Sequence, residues 1–413
     1  MKAEIISIGN ELLNGNTVNS NATYIAAALS RRGIRTHWIQ TISDDDADIR
    51  QALKTAFPRS RLILLTGGLG PTHDDITKKT VADFFDLPLI NNEETARKVE
   101  ERFRSRGLNM PPINRSQSLV PEGAGLLDNP LGTAPGIVIR RQDKTVVLLP
   151  GVPREMRAIV DERLPAILEE FPQVEPLQVE TIRTTGIAES EIYQRLEARL
   201  NEFREYEIAF LPHFTGVDLR VMRPKTGRDY EQKWKNFKNL LDSKIGEYIY
   251  TYDERELAEV IGGILQKKEQ TLAVAESLSG GLLQDWITAV PGSSRYFTGG
   301  IVAYNNEAKV RQLNVQQDTL NRFGAVSPET AREMAAGVRE AFGSDFGIST
   351  TGIAGPGGAT PQKEVGLVFI AVASEKSVKT QKFLFGKDRR INKQRSAQAG
   401  LEMLRRVLLN IGE

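Results

Sequence analysis

Cysteine is absent from this chain, and only three histidines are present, His37, His73 and His213. Without cysteine the protein has no disulfide bonds, no thiolate metal site and no cysteine nucleophile. The three histidines are scattered along the chain, which argues against a histidine-based zinc site or a Ser-His-Asp triad. A serine nucleophile in this protein would therefore need a general base other than histidine.

An excess of charge of one sign is also lacking. The chain has 54 basic and 53 acidic residues, a net charge of +1. This balance gives no electrostatic reason to expect nucleic acid as a partner. No run of 18 apolar residues occurs, and no signal-peptide pattern precedes the first strand-like segment. We therefore expect a cytoplasmic protein with no membrane partner.

Short apolar runs alternate with helical patterns in the first 170 residues. The first three runs are Glu4–Ile8, Thr36–Ile42 and Leu62–Thr66. This order predicts a parallel sheet with helices on both faces, which is a three-layer α/β domain. Ligands of such a sheet bind beyond the carboxyl ends of its strands.

The rest of the chain divides into two further predicted domains. Residues 171–252 show a small α+β pattern, and residues 253–413 show a second α/β pattern. The polar segment Asp253–Glu256 between them is interpreted as a hinge. The chain as a whole is thus predicted to be an α/β protein of three domains.

A serine-containing turn follows the predicted strand Thr271–Ala275. Its sequence, ESLSGG over residues 276–281, precedes a helical pattern that begins at Leu282. Backbone N–H groups at the start of a helix stabilise negative charge, and a turn at the sheet edge exposes its side chains. Ser277 could therefore be a nucleophile. The alternative is that Ser277 or Ser279 only caps the helix.

Two later segments could complete a site around this turn. Residues 299–309 predict a strand, a polar turn and a helix that could bring Tyr304 and Lys309 into one cleft. A desolvated, neutral lysine can activate a serine, although a solvated helix lysine is the alternative. The segment Gly352–Gly358 contains five glycines and prolines. Such a loop allows close approach of backbone to a ligand, although an ordinary tight turn has a similar composition.

These three segments together resemble the C-terminal domain of the competence/damage-inducible CinA family, the nicotinamide-nucleotide amidases. The family pattern is a Glu-Ser-Cys-Thr-Gly-Gly turn, a Gly-x-Val-x-Tyr-x-Asn-x-x-Lys segment and a Gly-Ile-Ala-Gly-Pro-Gly-Gly loop. Leu278 and Ser279 stand here in place of Cys and Thr. The resemblance implies deamidation of nicotinamide mononucleotide to nicotinic acid mononucleotide and ammonia, without a cofactor.

In the mechanism that we expect, Ser277 attacks the carboxamide carbon and Lys309 takes its proton. Tyr304 orients Lys309 or donates to the intermediate, and backbone amides near Ser279–Gly281 stabilise the oxyanion. The glycine-rich loop holds ribose or phosphate, with Arg389 as a phosphate partner. The residues expected to bind this substrate are Ser279, Gly280, Gly281, Thr351, Gly352, Gly355, Gly357 and Arg389.

The first domain has a second candidate site after its third strand, in the segment Thr66–Asp75, TGGLGPTHDD. Glycines permit close approach to a phosphate, and paired acids suit a hard cation, although Asp74 and Asp75 could instead cap the next helix. Loops after the other strands share this sheet edge. The residues expected to bind substrate are Asn10, Glu11, Gly67, Gly68, Gly70 and Thr72, and those expected to bind metal are Asp44, Asp74, Asp75 and Glu155.

This segment and Gly132–Gly136, GTAPG, resemble the MoaB/MogA-like molybdopterin-binding domain found at the front of the CinA family. The resemblance implies hydrolysis of ADP-ribose to AMP and ribose 5-phosphate with a divalent cation, Mg²⁺ or Co²⁺, and with K⁺ as a further candidate. Molybdopterin handling is the alternative for this domain, by analogy of fold alone.

Family resemblance also suggests a small KH-like domain in the middle of the chain. A Gly-x-x-Gly loop is not evident there, so RNA binding is not expected, and a spacer or dimer element is the expected role. The expected partners are small-molecule nucleotides and a second copy of the chain. A bifunctional enzyme of pyridine-nucleotide salvage is weighed against a scaffold protein for competence or DNA repair and against a molybdenum-cofactor accessory enzyme.

Overall fold

The structure is a computed structural model that describes residues 2–105, 107–171, 177–224 and 229–412. Two compact units are present, one formed mainly by Met1–Gln178 and the other by Val179–Arg223 with Asp229–Glu413. The second unit therefore contains both the middle and the last predicted domain. Among the described helices, none is long and apolar enough to cross a membrane.

Eight strands belong to the first domain: β1 (Lys2–Ile8), β2 (Arg35–Ile42), β3 (Leu62–Thr66), β4 (Leu89–Asn91), β5 (Leu119–Pro121), β6 (Gly125–Leu127), β7 (Gly136–Arg141) and β8 (Lys144–Leu149). Six of them form a sheet in the order β2-β1-β3-β8-β7-β6. The first four are parallel neighbours, whereas β7 and β6 are antiparallel. The predicted parallel sheet is therefore present in β2, β1, β3 and β8, and two antiparallel strands extend it at one side. A two-residue turn joins β7 to β8, and it is too short for a parallel crossover.

The helices of the first domain are α1 (Asn10–Leu13), α2 (Ser20–Ser30), α3 (Asp46–Arg59), α4 (Thr77–Phe84), α5 (Glu93–Ser105), α6 (Pro153–Glu162) and α7 (Leu164–Leu168). Helices α2, α6 and α7 pack on one face of the sheet through side chains such as Ile25 and Ile159. Helices α3 and α4 pack on the other face through Leu53 and Val81. The three-layer prediction is confirmed, and the loops after β1, β2, β3 and β8 lie at one edge.

The middle domain is a four-stranded sheet with two helices. Its elements are β9 (Leu177–Thr184), α8 (Glu189–Leu200), β10 (Glu207–His213), β11 (Gly216–Pro224), α9 (Tyr230–Ile245) and β12 (Ile249–Thr251). The strand order is β10-β11-β9-β12. Both helices contribute to the core, through Ile192 and Phe237 among others. The small α+β pattern is confirmed, while residues 172–176 and 225–228 of this predicted domain lie outside the described residues.

The last domain is a second three-layer α/β unit. Its strands are β13 (Leu272–Glu276), β14 (Phe297–Val302), β15 (Phe346–Gly352), β16 (Leu367–Ala373) and β17 (Val378–Leu384). Its helices are α10 (Leu257–Lys268), α11 (Leu282–Thr288), α12 (Asn306–Leu313), α13 (Gln317–Phe323), α14 (Pro328–Phe342) and α15 (Arg389–Leu409). Strands β14, β13 and β15 are parallel, and β16 and β17 add to one side in antiparallel order.

The segment Asp253–Glu256, interpreted above as a hinge, is bound to the middle domain. Arg183 donates hydrogen bonds to the carbonyl oxygens of Glu254 and Arg255, at 3.2 and 3.3 Å, and forms an ion pair with Glu256 at 2.7 Å. Glu256 also begins α10 in a capping box. The segment is thus bound to the middle domain and to the start of α10 in this structure, and its role as a hinge stays a prediction.

A buried arginine on α15 joins the middle domain to the last one. Arg405 is 2% exposed and donates to both carboxylate oxygens of Glu402, at 2.7 and 2.9 Å. Its remaining donors bind the carbonyl oxygens of Ile249 at 3.2 Å and Glu247 at 2.5 Å. Since these carbonyls belong to the middle domain, the two domains share one satisfied buried charge.

Replacing Arg405 by alanine should lower the free energy of unfolding by about 1–3 kcal/mol, because the buried carbonyls of Glu247 and Ile249 lose their donors. Urea unfolding followed by tryptophan fluorescence measures the change. The control is Arg390→Ala, which removes an exposed arginine of the same helix and should change stability by less than about 0.5 kcal/mol. Equal stability of the two variants would contradict the shared role of Arg405.

Candidate active sites

Ser277 and Lys309 meet at the carboxyl edge of the last domain's sheet. Ser277 directly follows β13, and Lys309 lies in the first turn of α12, which Asn305 caps by accepting from the Ala308 amide at 2.8 Å. The Lys309 Nζ atom lies 3.1 Å from Ser277 Oγ and donates to the Ala303 carbonyl at 2.7 Å. The structure thus brings together the predicted nucleophile and its predicted base.

Lys309 is held in surroundings that favour its neutral form. Its side chain is 1% exposed, and burial lowers the pKa of Lys309 to about 8. Desolvation penalises the ammonium, while the Ala303 carbonyl keeps the amine directed at Ser277. A lysine of this kind can accept a hydroxyl proton near neutral pH, which the solvated alternative could not do.

Glu276, which sequence reasoning missed as a functional residue, organises the serine turn. It is fully buried, and its carboxylate accepts hydrogen bonds from the backbone amides of Gly281 at 3.0 Å, Leu283 at 3.1 Å and Gln284 at 2.8 Å. The start of α11 is therefore capped by Glu276 and not by a serine. Charge-assisted bonds of this kind are the strong ones among hydrogen bonds, so the turn is firmly held.

The Glu276 cap changes the expected set of oxyanion donors. The Gly281 amide is occupied by Glu276, so its predicted role in stabilising an oxyanion is wrong for this structure. The Ser277 amide is also occupied, by the Thr350 carbonyl at 2.9 Å. Within the described part of the chain, the amides of Leu278, Ser279 and Gly280 have no acceptor. These three amides remain as the candidate donors for a developing negative charge.

The side chains of Ser279 and Thr351 point away from the open turn. Ser279 is fully buried and shares a 2.7 Å hydrogen bond with Thr350, while Thr351 donates to the Ala325 carbonyl at 2.6 Å. Both side chains thus hold the loops in place, and a direct contact of either hydroxyl with substrate is not supported.

Tyr304 does not orient Lys309 as predicted. Its side chain is 61% exposed, and its hydroxyl accepts a 2.7 Å hydrogen bond from Arg389. The Ala303 carbonyl takes the orienting role instead. Arg389 also donates to the Gly355 carbonyl at 2.8 Å, so it joins the tyrosine segment to the glycine-rich loop.

The glycine-rich loop lies against the start of α15. Gly355 has a φ of +91°, a backbone conformation that favours glycine, and a Cβ atom there would lie 2.7 Å from Val365. The buried Asn392 donates to the Ala354 carbonyl at 3.0 Å and fixes the neighbouring residue. Gly352 ends β15, whereas a Cβ atom at Gly357 would meet open space. The loop backbone is thus accessible at Gly357.

In the first domain, the predicted loops do come together at one sheet edge. The Gly67 amide donates to the Leu149 carbonyl at 3.1 Å, and a Cβ atom at Gly67 would lie 2.2 Å from the Ile8 carbonyl oxygen. Asn21, which sequence reasoning missed, joins the loops by donating to Thr66 Oγ1 at 3.1 Å and to the Gly151 carbonyl at 2.8 Å. The chain segments at the ends of β1, β3 and β8 therefore contact one another at this edge.

The acids of this edge do not form a metal cluster. Asp44 accepts from the Asn10 amide at 3.0 Å, Asp75 accepts from the Thr72 amide at 2.9 Å, and Asp74 lies exposed beside His73. In the described part of the chain, no three His, Cys, Asp or Glu residues are grouped so that they could hold a metal ion. These residues therefore do not fit the predicted cation in this arrangement.

Glu155, the fourth predicted metal ligand, belongs to a different contact. Its carboxylate accepts from Asn129 Nδ2 at 2.9 Å, and a Cβ atom at Gly132 would overlap it at 1.8 Å. Glu155 thus holds the GTAPG loop. The neighbouring predicted residues are used locally too, because the Glu11 carboxylate folds over Gly9 and a Cβ at Gly70 would meet Asp75. The predicted role of Glu155 as a ligand is not supported.

The loop after β3 in the first domain also has a close contact, at Gly68. Its φ is +66°, and a Cβ atom would lie 2.2 Å from the Thr77 hydroxyl oxygen, which is buried and has no partner in the described part of the chain. Glycine is therefore favoured at this position by a contact within the protein, and the approach of its backbone to a phosphate stays a prediction.

The missed residues had weak signals in the sequence. Glu276 ends an apolar run immediately before a helix start, where an acid is stabilised, and Asn21 lies in the first turn of a predicted helix. Lys393 lies beside the serine turn, because its Nζ atom would be 3.4 Å from a Cβ atom built on Gly280. It lies four residues beyond Arg389 in α15, so the two residues are neighbours on one helix face.

Three family models match the chain and together cover its three domains. The CinA C-terminal domain matches residues 254–408, the probable molybdopterin binding domain matches residues 4–169, and the damage-inducible protein CinA KH domain matches residues 180–251. The order of the three matches agrees with the predicted architecture, including a KH-like middle domain.

Curated relatives extend over the full chain. A competence-damage inducible protein of Caldicellulosiruptor saccharolyticus is 42% identical, covering 99% of this chain and 100% of the relative. A CinA-like protein of Chloroherpeton thalassium is 43% identical, covering 99% of each. Among solved structures, the competence/damage inducible protein CihA of Agrobacterium tumefaciens is 36% identical over 37% of this chain and 93% of its own, with a TM-score of 0.36.

The rate at which a fluorophosphonate labels Ser277 should rise with pH up to about 8 and then level off. Below its pKa of about 8 the neutral fraction of Lys309 grows about tenfold per pH unit, so the proton acceptor becomes available as pH rises. Lys309→Met should remove this rise. The control, Arg311→Met, changes an exposed residue of the same helix and should keep it. Identical labelling of wild type and Lys309→Met would contradict the pairing.

Proposed function

Because this chain belongs to the CinA family, we propose that its last domain is a nicotinamide-nucleotide amidase. The reaction is hydrolysis of the carboxamide of nicotinamide mononucleotide to the carboxylate and ammonia. The observation that carries the proposal is the 3.1 Å contact between Ser277 Oγ and the buried Nζ of Lys309. A serine beside a neutral lysine is a nucleophile for acyl transfer and needs no histidine.

The first half of the proposed reaction forms an acyl-enzyme. Neutral Lys309 accepts the Ser277 proton as Oγ bonds to the carboxamide carbon, and the carbonyl oxygen becomes an oxyanion. The amides of Leu278, Ser279 and Gly280 face this charge as donors. When the carbon–nitrogen bond breaks, Lys309 returns the proton to the leaving nitrogen, which departs as ammonia.

The second half releases the product acid. Lys309 accepts a proton from water, and the resulting hydroxide oxygen bonds to the acyl carbon. The bond to Ser277 Oγ then breaks, and Lys309 reprotonates the serine. Glu276 takes part only by holding the turn, since its oxygens are bound to three amides. Arg389 joins Tyr304 to the glycine-rich loop and so holds these two segments together.

A second candidate function concerns the first domain, which is a molybdopterin-binding-type domain of the CinA family. We propose that it hydrolyses the pyrophosphate of ADP-ribose to AMP and ribose 5-phosphate. The meeting of loops at Gly67, Asn21 and Gly151 supports the proposal, because ligands of a parallel sheet bind beyond the carboxyl ends of its strands, where these loops lie. The separated acids hold no preformed cation site, so no step is assigned to a metal ion. Molybdopterin handling is the competing function of this domain.

Ser277→Ala and Lys309→Met should each abolish ammonia release from nicotinamide mononucleotide, because the first lacks the nucleophile and the second lacks its base. A coupled glutamate dehydrogenase assay measures ammonia, and circular dichroism checks the fold. The matched control is Ser293→Ala, a serine of the same domain outside the site, which should keep wild-type activity. Full activity of Ser277→Ala would contradict Ser277 as the nucleophile, whereas no activity in wild type would contradict the amidase proposal and favour a binding or scaffold protein.

The full chain should release AMP from ADP-ribose, and Asp44→Asn should reduce this rate about tenfold or more, because Asp44 fixes the Asn10 loop through a charge-assisted hydrogen bond. Chromatography of AMP with and without added Mg²⁺ or Co²⁺ measures the rate and its dependence on the cation. Asp45→Asn is the control, since this neighbour only caps α3. Absence of AMP in wild type would leave molybdopterin handling as the function of this domain.

A further inference from the structure

Arg389, the predicted phosphate partner, already forms hydrogen bonds within the protein. Its Nη1 atom donates to the Gly355 carbonyl at 2.8 Å, and its Nη2 atom donates to the Tyr304 hydroxyl at 2.7 Å. These bonds join two loops of the amidase site. Arg389 therefore holds the Tyr304 segment against the glycine-rich loop. A phosphate that displaced both contacts would separate these two segments.

Lys393 is a second basic residue on the same side of α15. It lies four residues after Arg389, and residues at this spacing are neighbours on one helix face. Its Nζ atom would be 3.4 Å from a Cβ atom built on Gly280. In the described part of the chain, the Lys393 side chain has no hydrogen-bond or ion-pair partner. A free ammonium thus lies against the serine turn.

The position of Lys393 relative to Ser277 indicates what it can bind. Gly280 is three residues beyond the nucleophile in the turn, so the ammonium lies against the same turn as Ser277 and is separate from Lys309, which contacts Ser277 directly. The glycine has a φ of +61°, and its lack of a side chain leaves space for the lysine. A cation on this turn but outside the Ser277–Lys309 contact suits an anionic group of the substrate other than the carboxamide.

We propose that Lys393 binds the phosphate of the mononucleotide substrate and sets the preference of the site for phosphorylated over unphosphorylated nicotinamide nucleosides. This inference rests on the proposed amidase function. Lys393 supplies the free charge, and Gly280 leaves space for its ammonium. Arg389 holds the Tyr304 segment against the glycine-rich loop. Lysine binds a phosphate as a point charge, so a single free ammonium is sufficient for this role.

The experiment compares nicotinamide mononucleotide with nicotinamide riboside, which lacks the phosphate, in the full chain. Lys393→Met should raise the KM for the mononucleotide about tenfold or more, as loss of one charge-assisted hydrogen bond implies, with kcat nearly unchanged. The kcat/KM for the riboside should stay the same. Lys393→Arg should restore most of the preference, and Lys376→Met, a remote exposed lysine, is the control for net charge.

Two other roles of Lys393 give different results, and either would overturn the proposal. A contribution to the oxyanion would lower kcat for both substrates equally. A purely structural role would lower the unfolding temperature and affect both substrates, without rescue by arginine. An unchanged KM for the mononucleotide in Lys393→Met would also overturn the proposal.

Binding measurements separate this inference from the proposed function. Calorimetry with Ser277→Ala, with and without Lys393→Met, measures the affinity for nicotinamide mononucleotide without turnover. Weaker binding in the double variant supports Lys393 even if wild type releases no ammonia, in which case only the amidase proposal fails. Equal binding in both proteins overturns the role of Lys393, whatever the turnover measured in wild type.

Discussion

Two ionisable side chains are buried at one sheet edge of the last domain, and the candidate amidase site depends on how backbone groups hold them. The Glu276 carboxylate is bound by three amides, and the Lys309 amine is bound by one carbonyl and faces Ser277. Neither group uses the other as an ion pair. This separation matters, because a carboxylate beside Lys309 would favour the charged ammonium and suppress its action as a base.

Helix α15 connects this site to the rest of its unit. Its first turns bind both loops of the site, through Arg389 and Asn392, while its last turns bind the middle domain through Arg405. The KH-like domain is thus structurally continuous with the amidase domain. The middle domain contributes backbone acceptors to a buried charge of its neighbour, which is more than a spacer would do.

The sequence was most informative where chemistry and pattern agreed. Ser277 and Lys309 were predicted as partners because cysteine is absent and histidine is scarce. The three-layer domains followed from alternating strands and helices. Contacts between distant residues were less accessible. Tyr304 was assigned to Lys309 from proximity in sequence, whereas its hydroxyl binds Arg389, which is 85 residues away. The acids of the first domain were grouped by loop position alone, and sequence does not show that Asn129, Thr72 and Asn10 already bind them.

The shared Arg405 has a consequence for how such genes can recombine. A crossover that transferred only residues 253–413 to a new partner would carry a buried guanidinium away from the carbonyls of Glu247 and Ile249. A crossover near residue 178 would keep the arginine and its acceptors in one inherited segment. This contact therefore joins the KH-like and amidase domains, even though three family models divide the chain into three parts.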